Sequence, residues 1–305
     1  MKKLNYKKVL CNIILGVGIL TSCNSNSKIE NTNSLEEELM ALDDISKVEV
    51  SKEEIFNLIE SFPSPIEMAS VIKNNKIDIS SDMLLSTDSI NRFATSYDKA
   101  MALGAYGSDM GYINIYDKIF LIPDFLESIV ALSEDLDLDG FFDFVTMFEM
   151  AENSENIDVL IQMSTESFNE MEAHLREKGR DELSLLIVFG TWLEGASVIS
   201  EIAKKEQTKL MFNRVAEQKE FVNNLNKIFE SSSDDYFNNL TTKINPLIKL
   251  YEQIEIEFIM KEATMEEIDG QLVFIDNSET IIIADDKVIL EIINKTIEIR
   301  NDLLK

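Results

Sequence analysis

Two stretches limit what this chain can fold into: residues 99–116, KAMALGAYGSDMGYINIY, and residues 183–199, LSLLIVFGTWLEGASVI. Both are apolar nearly all round at helical spacing. A helix of that kind belongs in the middle of a bundle rather than on its skin. In the first stretch Ala100, Gly104, Gly107 and Gly111 share one face. Glycines there let a neighbouring helix approach closely, at a cost of about 1 kcal/mol each against alanine. Each stretch carries one carboxylate. Asp109 shares a face with Tyr106, Ile113 and Tyr116, and Glu194 shares one with Leu183, Ile187, Gly190 and Val198. Aligning the two acids, 85 residues apart, suggests an internal duplication.

The remaining chain reads as more helix. Only 4 prolines and 10 glycines punctuate 305 residues, too few for a turn-rich sandwich. Ser51 with Glu54 makes a capping box that opens a helix to about Ser61. Pro63 and Pro65 break it, and a short helix follows to about Asn74. The spacing then predicts helices over 89–118, 123–136, 141–152, 155–178, 181–204, 207–231 and 234–262. Gly179 is placed to end the fourth of these, and Pro246 to kink or split the last. Gln271 to Ile275 and Thr280 to Ala284 are β-rich runs that predict a small hairpin. A final helix, capped by Asp285 or Asp286, runs to about Leu303. The expected fold is all-α, a multi-helix bundle or array of helical hairpins with one small C-terminal β-hairpin. Residues 35–305 form it as one domain or as two packed halves, 35–152 and 153–305.

A carboxylate inside an apolar helix must be paired or protonated, because ionising it unpaired costs several kcal/mol. Asp109 and Glu194 therefore admit two readings. With raised pKa values in a pocket they would serve as acid and base of a hydrolase or lyase. The plainer role is to fix packing, with hydrogen bonds from a tyrosine, Trp192 or a helix cap. Tyr106, Asp109, Tyr112, Trp192 and Glu194 are thus the candidate ligand or buried-polar site, and an adjacent pair of acids would also suit a cation. Asp135 to Gly140, DLDLDG, imitates the opening of a calcium loop. Thr146 stands at the twelfth position, where a bidentate Glu is needed, so an acidic helix end followed by a turn explains it better. His174, the only histidine, excludes multi-histidine metal sites and reads as a surface residue. No catalytic, cofactor or metal residue is assigned.

The N-terminus carries an address. Lys2, Lys3, Lys7 and Lys8 precede the apolar run Val9 to Cys23, which is well short of the ~20 residues a bilayer requires. Leu20-Thr21-Ser22-Cys23 resembles the lipobox of bacterial lipoproteins. That resemblance implies removal of residues 1–22, a lipid thioether on Cys23 and an acylated (palmitate-type) new amino terminus. Residues 24–34, NSNSKIENTNS, then read as a flexible tether. Losing the four leader lysines takes the formal charge from −28 to −32. Nucleic acid is thereby excluded as a partner; the balance would suit basic partners or divalent cations, and is explained more simply as a solvated acidic surface that keeps a secreted protein soluble. Cys11 leaves with the leader and Cys23 takes the lipid, so the mature domain has neither thiol nor disulfide.

The lipobox, SFPSPIEMASVI at 61–72, ALGAYGSDMGY at 102–112, GTWLEG at 190–195 and IEIRN at 297–301 together resemble a family of uncharacterised helical lipoproteins of Bacteroidetes. The resemblance implies an outer-membrane, lipid-anchored helical protein and carries no reaction, ligand or catalytic residue. The expected function is a non-enzymatic envelope scaffold that binds a partner protein or a small ligand. The carboxylate hydrolase and a divalent-cation module are the alternatives, and periplasmic and surface-facing placements stay open.

Overall fold

The computed structural model describes residues 72–141 and 166–305, apart from 74, 168, 169, 172, 262, 263, 269, 270 and 276–278. All of these belong to one unit, Val48–Lys305. The leader, Cys23, the tether, Thr146 and the helices expected before residue 72 and over 141–152 lie outside the described residues, as does most of that over 155–178.

Helix α1, Ser96–Ile115, starts later than expected. Thr87–Arg92 forms a 3-10 turn, and the true start is a capping box. The Thr95 hydroxyl accepts from the Asp98 N–H at 3.0 Å, and the Asp98 carboxylate accepts from the Thr95 N–H at 3.2 Å. Together they satisfy two donors that a helix start leaves bare. The helix ends on Asp117 at φ 54, with Lys118 N–H bonded to Ile113 O and Asp117 N–H to Asn114 O. Helix α2, Ile122–Asp135, carries Pro123 in its first turn as expected and closes the same way on Asp137 at φ 58. Both are Schellman ends with aspartate where glycine is usual. Gly179, at φ 66, does end the helical residues 173–177.

Helix α3, Asp181–Glu206, is long and apolar enough by composition to cross a bilayer, yet 94% of its most apolar window is buried inside the molecule. It is the central helix. Helices α1, α4 (Lys209–Ala216) and α7 (Asp286–Leu304) all pack on it, while α2 packs on α1. Helices α5 (Lys219–Ser231) and α6 (Asp235–Tyr251) pack on each other, and α6 on α7. One apolar core runs from Ile72 to Leu304.

Three expectations need correction. The single helix over 207–231 is two, broken at Glu217 and Gln218. Its buried residues, Met211, Val215, Val222, Leu225 and Phe229, keep one helical period through the break, so the pattern does not mark it. The helix expected to reach 262 stops at Tyr251 and runs unbroken past Pro246. That proline removes one backbone donor, and the helix continues on the bonds to either side. Finally, the two expected strands do not pair with each other. Among the described residues there are four: β1 Glu255–Ile259, β2 Thr264–Ile268, β3 Gln271–Ile275 and β4 Glu279–Ile283. β3 forms a hairpin with β2, and β4 pairs antiparallel with β1, Glu255 opposite Ile283 and Ile259 opposite Glu279. The fold is otherwise as expected, mostly helical with a small β element near the C-terminus. Asp285 caps α7 by accepting from the Lys287 N–H at 2.9 Å.

Candidate functional site

The site begins where α1 meets α3. A Cβ on Gly104 would collide with the Ile187 carbonyl and come within 2.9 Å of the Thr191 nitrogen; one on Gly190 would collide with the Met101 carbonyl. The two backbones touch through these glycines. The Thr191 hydroxyl is shared between Ile187 O at 2.9 Å and Gly104 O at 3.1 Å. Gly104 thus does the work expected of the glycine face, whereas Gly107 faces open space. Contacts advance together along both helices, from Met101–Gly190 to Asp109–Glu194, so the helices run in the same direction.

That close approach sets Asp109 beside Glu194, both fully buried. The third member comes from the last helix. Arg300, 1% exposed, grips Glu194 with two bonds, Nε to Oε2 at 2.8 Å and Nη2 to Oε1 at 2.6 Å. Its Nη2 also reaches Met83 O at 3.1 Å, and Nη1 reaches the Asn301 side chain at 3.2 Å. The Leu85 N–H donates to Asp109 Oδ2 at 2.8 Å, and the Tyr106 hydroxyl donates to Ser86 O at 2.9 Å. Residues 83–86 therefore lie across the cluster, tied to α1 and α7 by three bonds. A guanidinium fork suits a carboxylate better than any other cation, since both bonds are parallel and charge-assisted.

A proton completes the arrangement. Asp109 and Glu194 stand side by side in the dry interior, where two carboxylates can share a hydrogen bond only if one of them is protonated. Burial, then the neighbouring Glu194 charge, holds Asp109 well above its ordinary 3.8. Burial also raises Glu194, against the pull of Arg300. Asp109 Oδ1 is the oxygen left without a donor; a proton there, given to Glu194, satisfies both acids. The cluster is then one cation, one anion and one neutral acid, the combination that a dry interior tolerates best. Burial and the two acids also push the Tyr106 hydroxyl up to about 12.

Asp109→Asn tests that proton. Asparagine keeps an acceptor for Leu85 and offers a donor to Glu194. The folded protein holds a proton that the unfolded chain releases above about pH 4, so the wild type gains from it fully below that pH and loses it as pH rises toward the raised folded value. The expected stability difference, variant minus wild type, is flat below about pH 4 and climbs above it by up to about 1.4 kcal/mol per pH unit. Urea unfolding of both proteins across that range measures it; parallel curves would sink the protonated Asp109.

The other candidates fall elsewhere. Tyr112 is fully buried, its hydroxyl without a partner among the described residues, and burial followed by the Asp109 charge raises its pKa. Trp192 turns away toward the break between α4 and α5, its Nε1 donating to Gln218 Oε1 at 3.2 Å beside Phe189 and Phe221. Arg300 was not foreseen as a site residue. Its signal was a cation on the stripe of Ile289, Ile292, Ile293, Thr296 and Ile299, all buried. At DLDLDG, Asp135 pairs with Lys99 at 2.6 Å while Leu136 and Leu138 are fully buried, so the segment is a helix end plugged into the core. Among the described residues no group of three acids, histidines or cysteines is placed to hold a metal. His174 is half-buried against Phe141, ring centres 4.8 Å apart, rather than a free surface residue.

Chemically, the cluster is a clasp between α1, α3 and α7, with both acids closed from solvent and engaged by protein donors. A pocket of ≈ 210 Å³ lies elsewhere, lined by Gln207, Lys209, Phe212, Asn213, Ile282 and Asp286 among others. Comparison with protein families, with curated proteins and with solved structures finds no match to this chain.

Proposed function

We propose that this protein is a non-enzymatic cell-envelope lipoprotein, anchored to the outer membrane through lipid on Cys23, whose helical domain is a scaffold for a partner protein or small ligand. The likeness to the uncharacterised helical lipoproteins of Bacteroidetes is part of the proposal. The observation that carries it is the closure of Asp109 and Glu194. The acids best placed by sequence to act as acid and base are fully buried and spent on Arg300 and the Leu85 N–H. A clasp that ties residues 83–86, α1, α3 and α7 builds a rigid body, which is what a scaffold requires.

The test is mass spectrometry of the full chain expressed in a Gram-negative host, with fractionation of a Cys23→Ser variant. The amino-terminal peptide is expected to start at a lipid-modified Cys23, and the serine variant to leave the membrane fraction. Met1 retained, or an unmodified sulfur on Cys23, overturns the anchor. Asp109→Asn, which keeps the clasp, is expected to leave the chain's retained envelope partners unchanged; their loss would return the acid to a functional role.

A further inference from the structure

The ribbon of β1 and β4 carries a surface that the described residues leave exposed. β4 with its flank reads Thr280-Ile281-Ile282-Ile283-Ala284, apolar on both faces, the pattern of a strand covered on both sides. The fold covers one of them: Ile256 and Ile282 pack on the core. On the other, Ile281 is 39% and Ile283 51% exposed, and Ile259 at the far end of β1 is 38% exposed. The pairing register fixes what stands beside them. Glu255 lies opposite Ile283 and Glu257 opposite Ile281, both glutamates exposed on the same face as the isoleucines. Over these two pairs that face sets Glu255 and Glu257 of β1 beside Ile283 and Ile281 of β4, one strand spacing (about 4.8 Å) away, and at the far end the order reverses, with Ile259 opposite Glu279. A two-stranded ribbon is only marginally stable by itself in water, and an apolar patch on it marks a surface that another molecule covers.

Charge selects the occupant. A second copy would meet carboxylates with carboxylates, or bury them against isoleucine, in a chain of formal charge −28. An anionic lipid surface is repelled for the same reason. We infer that this face docks a basic amphipathic helix of another protein, its apolar stripe on Ile281 and Ile283 and its Lys/Arg edge on Glu255 and Glu257. Side chains on one face of a strand recur every ~6.8 Å, and those at i and i+4 of a helix every ~6 Å, so strand and helix stay matched over two positions. The inference names the partner class of the proposed scaffold and rests on that reading.

The experiment measures binding of the full chain to a fluorescent amphipathic Leu–Lys helical peptide, with a Leu–Glu peptide of the same pattern as control. The Leu–Lys peptide is expected to bind, more weakly as salt rises, and the Leu–Glu peptide not to bind. Ile281→Thr/Ile283→Thr and Glu255→Gln/Glu257→Gln should each lower affinity by about tenfold or more, with circular dichroism confirming that the fold is kept. No binding of the Leu–Lys peptide, equal binding of both peptides, or affinity unchanged in both variants would overturn the docking face. A concentration-dependent dimer in sedimentation that Ile281→Thr/Ile283→Thr abolishes reassigns it to a second copy. Binding to zwitterionic vesicles lost in the same variant reassigns it to lipid. Each of these leaves the lipid anchor and scaffold standing, because those are read from Cys23 and from retained partners.

Discussion

Arg300→Met is expected to cost about 3–5 kcal/mol of folding stability, because it leaves the Glu194 charge buried with no counter-ion. Methionine replaces the apolar stem of arginine and stops short of the guanidinium, so the lost charge comes with a smaller loss of packing. Both parallel bonds to Glu194 go, and so does the bond that holds Met83 O over the cluster. Arg300→Lys is expected to recover only part, since a point charge cannot make the fork and reach Met83 at once. The double variant Arg300→Met/Glu194→Leu separates the charge from the packing. Replacing both halves of a buried pair by apolar groups is often close to neutral, so the double should unfold at a higher urea concentration than Arg300→Met. If Arg300→Met alone costs less than about 1 kcal/mol, the clasp is not what holds α7 to α3.

Gly104→Ala and Gly190→Ala are expected to destabilise by about 1–3 kcal/mol or more each, although alanine is the better helix former by about 1 kcal/mol. The added methyl of each meets backbone, the Ile187 carbonyl in one case and the Met101 carbonyl in the other. Backbone inside a helix cannot step aside as a side-chain tip can, so α1 and α3 must part. The parting would also lengthen the Thr191 bond to Gly104 O and pull Asp109 from Glu194. Gly107, three residues along the same helix, has nothing within 4 Å of such a methyl. There the propensity gain stands alone, and Gly107→Ala is expected to stabilise by up to about 1 kcal/mol. Thermal unfolding of the three variants checks the opposite signs. Three losses of equal size would mean that helix crowding is not what selects glycine.

The helix ends show how far local pattern reaches. Gly179 and the Asp285 cap were legible because each acts on bonds within its own turn. Asp117 and Asp137 take the same left-handed end without glycine, so the usual marker was missing. The break at Glu217 leaves the buried period intact and was not legible at all. In the strands, β-rich composition marked β3 and β4 as extended but said nothing of their partners. Any antiparallel register that keeps isoleucines inward satisfies that pattern, and the outer strand β1 lay hidden in what read as the tail of a helix.

Residue chemistry by itself determined that residues 99–116 and 183–199 are interior helices, and that Asp109 and Glu194, carried inside with them, need a neutral or paired state. Burial follows from the transfer free energy of each side chain and needs no knowledge of its neighbours. Which group answers Glu194 was decided only in three dimensions, by an arginine 106 positions further on that α7 delivers to its side. Pairing over that distance depends on how whole helices stack, and the stacking depends on where two glycines let backbones touch.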